Sequence, residues 1–118
     1  VLGILPAVLA LNQAAVAQDH EAQIALGQKR FEYWCAACHG PGIGSYGMPY
    51  LPGEMALRAK YKGTEPPLLP DRTDLSAELI RTVVRHGITI MPFFRKTEIS
   101  DEDLDAMVAF LTRNNPKQ

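Results

Sequence analysis

The sequence predicts an all-α domain, and three observations carry that expectation. The stretches Ser76–His86 and Ser100–Leu111 each place apolar residues at helical spacing behind a serine that can cap a helix. Asp19–Ala37 has the same period, with Ile24, Gly27, Phe31 and Trp34 or Cys35 on one face. No segment shows the alternation of a convincing strand. At 118 residues the chain has the length of one domain. A domain of that size buries only about two-thirds of its unfolded surface, so its core is thin and a large buried cofactor would add much to it. Apolar residues at 47%, charged residues at 21% and a net charge of -1 describe an ordinary globular chain, neither disordered nor suited to nucleic acid.

The first stretch, Val1–Ala17, holds a short apolar run without charge and closes on Ala15-Val16-Ala17, a small-x-small cleavage pattern. Pro6 and Asn12 break the run, and it is too short for a comfortable membrane span. Residues 1–17 are therefore expected to be a truncated signal peptide. Residues 18–118 are expected to be the exported, periplasmic domain, with no membrane span in the mature chain. In the helix that follows, Gly27 weakens helix propensity and is expected to permit close approach of another helix.

Between Gly40 and Pro70 the pattern changes. Prolines at 41, 49, 52, 66, 67 and 70 and glycines at 40, 42, 44, 47, 53 and 63 predict irregular chain, with one short helix over Glu54–Tyr61. A loop of this length in a compact domain is usually functional or wrapped around something. Ser76 can cap the next helix, Leu79, Ile80, Val83 and Val84 form its apolar face, and Gly87 stops it. Ile88–Phe94 is an apolar loop around Met91-Pro92. Ser100 caps the last helix, and Asp101, Glu102 and Asp103 crowd its positive end. Leu104, Met107, Val108 and Leu111 line one face of that helix, with Phe110 at its border. Asn114–Gln118 is polar and expected to fray.

Cys35-Ala36-Ala37-Cys38-His39 is C-x-x-C-H, the arrangement for covalent haem attachment. Two thiols three residues apart on one helical turn face the same way and can form thioethers with the two vinyl groups on one porphyrin edge. His39 then lies against the iron and supplies a ring nitrogen. So close a pair of cysteines would be a poor structural staple. A zinc site would need two further ligands, for which only His20 and His86 are available. A thioredoxin-like pair needs a βαβ context that this chain lacks.

Methionine opposite histidine fills the iron and raises its reduction potential, which suits electron transfer. Met48, Met55, Met91 and Met107 are the candidates. Met107 reads as core packing and Met55 falls in the short loop helix. Met48 and Met91 both precede proline, which biases them toward extended geometry. Met91 is favoured, because enough chain separates it from His39 to pass around the haem edge, whereas Met48 would have to hug it. His86 is the bis-histidine alternative and reads better as a cation at a helix C-terminus. The other ring nitrogen of His39 is expected to donate to a backbone carbonyl. Pro67 is the favoured acceptor, with Pro66 and Pro41 as rivals.

The runs C-A-A-C-H-G, P-P-L-L-x-x-R-T-D-L, I-R-T-V-V-R-H-G-I-T-I-M-P-F-F and the closing V-A-F-L resemble class I cytochrome c over nearly all of the mature chain. The resemblance implies three main helices and a long loop wrapped around one haem. It also implies a crossing of the first and last helices near Gly27, Phe31 and Phe110. More narrowly, Arg72–Phe94 is similar to the cytochrome subunits of p-cresol methylhydroxylase-type flavocytochromes. That likeness implies a flavoprotein dehydrogenase partner acting on a 4-alkylphenol. The cytochrome would accept its electrons singly and pass them to a soluble acceptor such as a copper protein or another cytochrome. The chain departs from that pattern in its long Pro41–Glu65 insertion. The alternative is a free-standing periplasmic electron carrier. A peroxidase or gas sensor would need an open iron position and a polar distal pocket, against which the apolar Ile88–Phe94 loop speaks. Arg58, Lys60 and Lys62 in the loop, and Arg81, Arg85, Arg95 and Lys96 around the methionine, suggest a basic rim that steers an acidic partner.

Overall fold

The computed structural model describes residues 5–117. Val1–Ile4 of the expected leader and Gln118 of the tail lie outside the described residues. Among the described residues the regular structure is helical, with a single bridge between Ile88 and Met91 in place of any strand. The helices are α1 (Leu5–Trp34), α2 (Ala36–His39), α3 (Pro52–Tyr61), α4 (Ala77–His86) and α5 (Asp101–Thr112). Single 3-10 turns at Ser45–Gly47 and Leu69–Asp71 punctuate the long loop.

α1 starts well before the expected Asp19. After Pro6, which a first helical turn tolerates, the leader is mostly alanine, leucine and valine, and no helix breaker separates it from Asp19. The added turns do not build the core, since Leu9, Leu11 and Val16 are exposed. Core contact begins at Ile24 and continues through Phe31 to Trp34.

The C-terminal half of α1 packs against α5, the principal helix contact of the domain. Gly27 makes it possible: a Cβ there would stand 1.9 Å from the Ala106 carbonyl oxygen and 2.8 Å from Phe110 Cβ. One turn on, the Phe31 and Phe110 rings meet at 5.7 Å, tilted by 52°. Leu75, Ile80, Val84, Ile99, Leu104, Met107, Val108 and Leu111 complete the core.

The two short helices carry the caps their sequences imply. Ser76 Oγ accepts from the Leu79 N–H at 3.1 Å, and Ser100 Oγ accepts from the Asp103 N–H at 3.0 Å. Gly87 closes α4 at φ 70, a conformation that L side chains resist. In the long loop, α3 begins two residues ahead of the expected Glu54, with Pro52 in its first turn, where the missing N–H costs nothing. It packs on α2, so the inserted loop serves as one wall around the C-x-x-C-H turn.

Candidate cofactor site

The backbone runs on from α1 into the cysteine turn without a break in hydrogen bonding. The Cys35 N–H donates to the Phe31 carbonyl at 2.8 Å, and the His39 N–H donates to the Cys35 carbonyl at 2.8 Å. Cys35 and Cys38 therefore share one helical turn. Both thiols are free, Cys35 half-buried and Cys38 exposed. Burial, with a smaller contribution from Cys38, pushes the Cys35 thiol up to about 11, so it is a neutral S–H near pH 7. Burial also lowers the His39 pKa and keeps its imidazole neutral, the form that binds metal.

His39 Nδ1 is buried and has no hydrogen-bond partner among the described residues. The expected bond from this ring to the Pro67 carbonyl is therefore not made. The element that closes on the ring is α3. A Cβ on Gly53 would lie 2.6 Å from His39 Nδ1 and 2.7 Å from the Cys38 carbonyl oxygen. The neighbour of the ring is thus a glycine in the first turn of a helix.

Met91 sits in a tight turn. Its N–H donates to the Ile88 carbonyl at 2.9 Å, and the Ile88 N–H returns a bond to the Met91 carbonyl at 3.2 Å. Thr89, at the tip, takes φ 50, uncommon for a β-branched residue. The turn directs Met91 to a cavity that it lines together with Cys35, His39, Leu57, Tyr61 and Arg72. An adjoining cavity is lined by Met91 again, with Trp34, Cys35, Cys38, His39 and Gly53. Met107 lines the first cavity from the core side and is almost fully buried. Met48, Met55, His86 and Pro67 line neither. His86 Nδ1 instead lies 3.0 Å from the Thr82 carbonyl oxygen, on the surface. Among the described residues no three of His, Cys, Asp and Glu group to hold a bare metal ion.

The fit to a covalently held haem can be judged from these residues. One wall offers two thiols on one turn and a neutral imidazole. The same cavities receive a thioether. The lining is otherwise mostly apolar, and its only cations are Lys60 and Arg72. The burial of Nδ1 and the lack of room for even a Cβ at Gly53 mark the imidazole as tightly seated. The set suits a flat apolar macrocycle with two carboxylates.

Arg72 is the residue that the sequence reading passed over. It is 1% exposed. Its Nε and Nη2 donate to the two carboxylate oxygens of Asp74, each at 2.6 Å, and its guanidinium lies 4.3 Å from the centre of the Tyr61 ring. The hydrogen bond from Arg72 is the main cause that holds the Asp74 carboxyl below its ordinary range. The Arg-Thr-Asp spacing was a visible hint, but burial of the arginine depends on α3 lying over it.

The expected basic rim is mostly neutralised. Arg81 pairs with Asp105 and Arg85 with Asp101, each at 2.8 Å, Arg95 pairs with Glu98 at 3.3 Å, and Lys96 shares Asp101 at 2.8 Å. In the loop Arg58 pairs with the buried Glu54 at 2.7 Å. Apolar groups are prominent on this face, where Ile88, Ile90 and Phe93 are exposed. None of the helices among the described residues is long and apolar enough to cross a membrane.

Residues 22–111 match the family model described as Cytochrome C oxidase, cbb3-type, subunit III. No curated protein and no solved structure matches the chain.

Proposed function

The chain belongs to this family of class I c-type cytochrome domains, which bind haem c and transfer electrons, and we propose that it holds one haem through Cys35, Cys38, His39 and Met91. The observation that carries the assignment is the pair of adjoining cavities: Cys35, His39 and Met91 line both, Met107 lines only one, and Met48, Met55 and His86 line neither. The haem, when bound, supplies a one-electron couple between ferric and ferrous iron. The chain's residues do the rest. Cys35 and Cys38 would hold the group covalently, each S–H adding across a vinyl group so that sulfur bonds to one carbon and the hydrogen goes to its neighbour. Neutral His39 presents a nitrogen lone pair. Met91 would supply a thioether sulfur as the second protein ligand and so keep substrates and water off the iron. Lys60 and Arg72 are the cations available for the two carboxylates.

The role that follows is electron transfer without substrate chemistry at the iron. On this proposal the electrons come singly from a flavin-containing dehydrogenase and pass to a soluble acceptor such as a copper protein or another cytochrome, in the periplasm after removal of residues 1–17. The likeness of Arg72–Phe94 to flavocytochrome subunits supports the partner, and the Ala15-Val16-Ala17 pattern supports export. Mass spectrometry of the peptide spanning Cys35–His39 from protein matured in the periplasm is the test of attachment. A haem adduct on both cysteines is expected; a peptide with two unmodified thiols would overturn it. N-terminal sequencing of the same material should begin at Gln18. Co-purification from the native source with a flavoprotein would favour the dehydrogenase subunit over the free-standing carrier.

A further inference from the structure

The segment that carries Met91 is a closed strap hung from the last turn of α4. At its start the Gly87 N–H donates to the Val83 carbonyl at 2.8 Å, and at its end the Phe94 N–H donates to the Val84 carbonyl at 2.8 Å. Arg85 stands on the same turn, with only 18% of its side chain exposed. Its Nη1 donates to the Phe94 carbonyl at 3.2 Å and to the Ile99 carbonyl at 2.8 Å, and its Nη2 donates to Asp101 at 2.8 Å. The Phe94 residue is thereby held to α4 twice, through Val84 at its N–H and through Arg85 at its carbonyl. One planar group ties the exit of the strap to the fully buried Ile99 and to the first residue of α5. A rigid fork of donors can serve several acceptors at once; a lysine ammonium on a flexible stem does so poorly.

We propose that Arg85 is a positioning residue for Met91: by holding the Phe94 and Ile99 carbonyls it keeps the strap closed and the thioether in the cavity. The inference rests on Met91 as the axial ligand. Asp101 holds the outer side of the guanidinium and is shared with Lys96, so it orients Arg85 but does not touch the strap. Closure of the strap is an equilibrium. A small external ligand binds the iron only when Met91 has left, so its apparent affinity measures the open fraction.

Imidazole binding to the ferric haem-loaded full chain reads that fraction directly. Arg85→Gln should raise imidazole affinity about tenfold, which is a tenfold rise in the open fraction. It should also weaken the near-infrared sulfur-to-iron band. Arg85→Lys should fall between Gln and wild type, and it serves if the glutamine variant does not fold. Asp101→Asn should stay within about twofold of wild type, because both carbonyl bonds remain. Leu104→Ala, a core change remote from the cavity lining, should lower global stability while leaving imidazole affinity within about the same range. Wild-type imidazole affinity in Arg85→Lys would overturn the proposal, as would an equal rise in Leu104→Ala. Met91→Ala separates the two levels: loss of the band there with no effect at Arg85 removes only the positioning role. Persistence of the band in Met91→Ala removes the ligand and the positioning role together.

Discussion

The first turn of α3 is seated against the ring of His39, so closely that a Cβ on Gly53 would lie 2.6 Å from Nδ1. The same Cβ would meet the Cys38 carbonyl at 2.7 Å, and that backbone cannot yield without moving the cysteine turn. The long loop therefore fixes the imidazole by steric contact.

Gly53→Ala tests that contact. Alanine in a helix ordinarily gains up to about 1 kcal/mol over glycine, whereas overpacking at a rigid neighbour costs about 1–3 kcal/mol. The clash should win, and thermal unfolding should show a lower midpoint by several degrees. The midpoint potential should shift as well, since His39 must move. An equal or higher melting temperature would mean that α3 does not rest on the histidine.

Gly27→Ala should cost more. Its Cβ would fall 1.9 Å from the Ala106 carbonyl, a backbone group held inside α5. The helices would have to separate, loosening Phe31 from Phe110. A loss of about 3 kcal/mol is expected, read as a lower urea midpoint with an unchanged slope.

Asp74→Asn should expose the cost of a buried arginine that has lost its nearer charge partner, leaving only Glu65 at 3.9 Å. Removing one member of a buried pair costs about 3–5 kcal/mol. Asp74 is 44% exposed, so screening brings the expected loss to about 2 kcal/mol at pH 7. The folded pKa of Asp74 is depressed by the hydrogen bond from Arg72. Its contribution is thus complete above the unfolded value of about 3.9 and is lost as pH falls through the lower folded value. Denaturation curves for wild type and variant should converge as pH falls below that folded value. A gap that persists at low pH would assign the loss to packing.

Arg95→Glu combined with Lys96→Glu should slow reduction by the proposed flavoprotein partner, most at low ionic strength, with the haem spectrum unchanged. Both side chains are largely exposed and already paired, Arg95 with Glu98 and Lys96 with Asp101. Reversal therefore creates an acidic patch where the surface is now balanced. Stopped-flow reduction across a salt series measures it. A rate that ignores both charge and salt would shift attention to the apolar Ile88, Ile90 and Phe93.

Much was legible in the sequence because it is local. The capping serines, the Gly87 stop and the turn that aligns Cys35 with Cys38 each depend on residues within about one helical turn. The tight turn that carries Met91 was also readable, since the proline after it and the glycine before it announce a stiff, terminated segment. The extent of α1 was misjudged because an alanine- and leucine-rich leader has the same helical preference whether or not it packs on anything.

Tertiary structure alone decided the rest. Which backbone meets His39 depends on how the Pro41–Glu65 insertion folds back, and it brings Gly53 against the ring while Nδ1 makes no hydrogen bond. Arg72 has the Tyr61 ring of α3 against its guanidinium, and Arg85 reaches Ile99 because α4 and α5 are neighbours. Such contacts join segments whose separation along the chain has no period. The sequence by itself determined which turns and helices form and which chemistry the cysteines, histidine and methionine can bring. The packing of those pieces determined which side chains enclose that chemistry and which hold it in place.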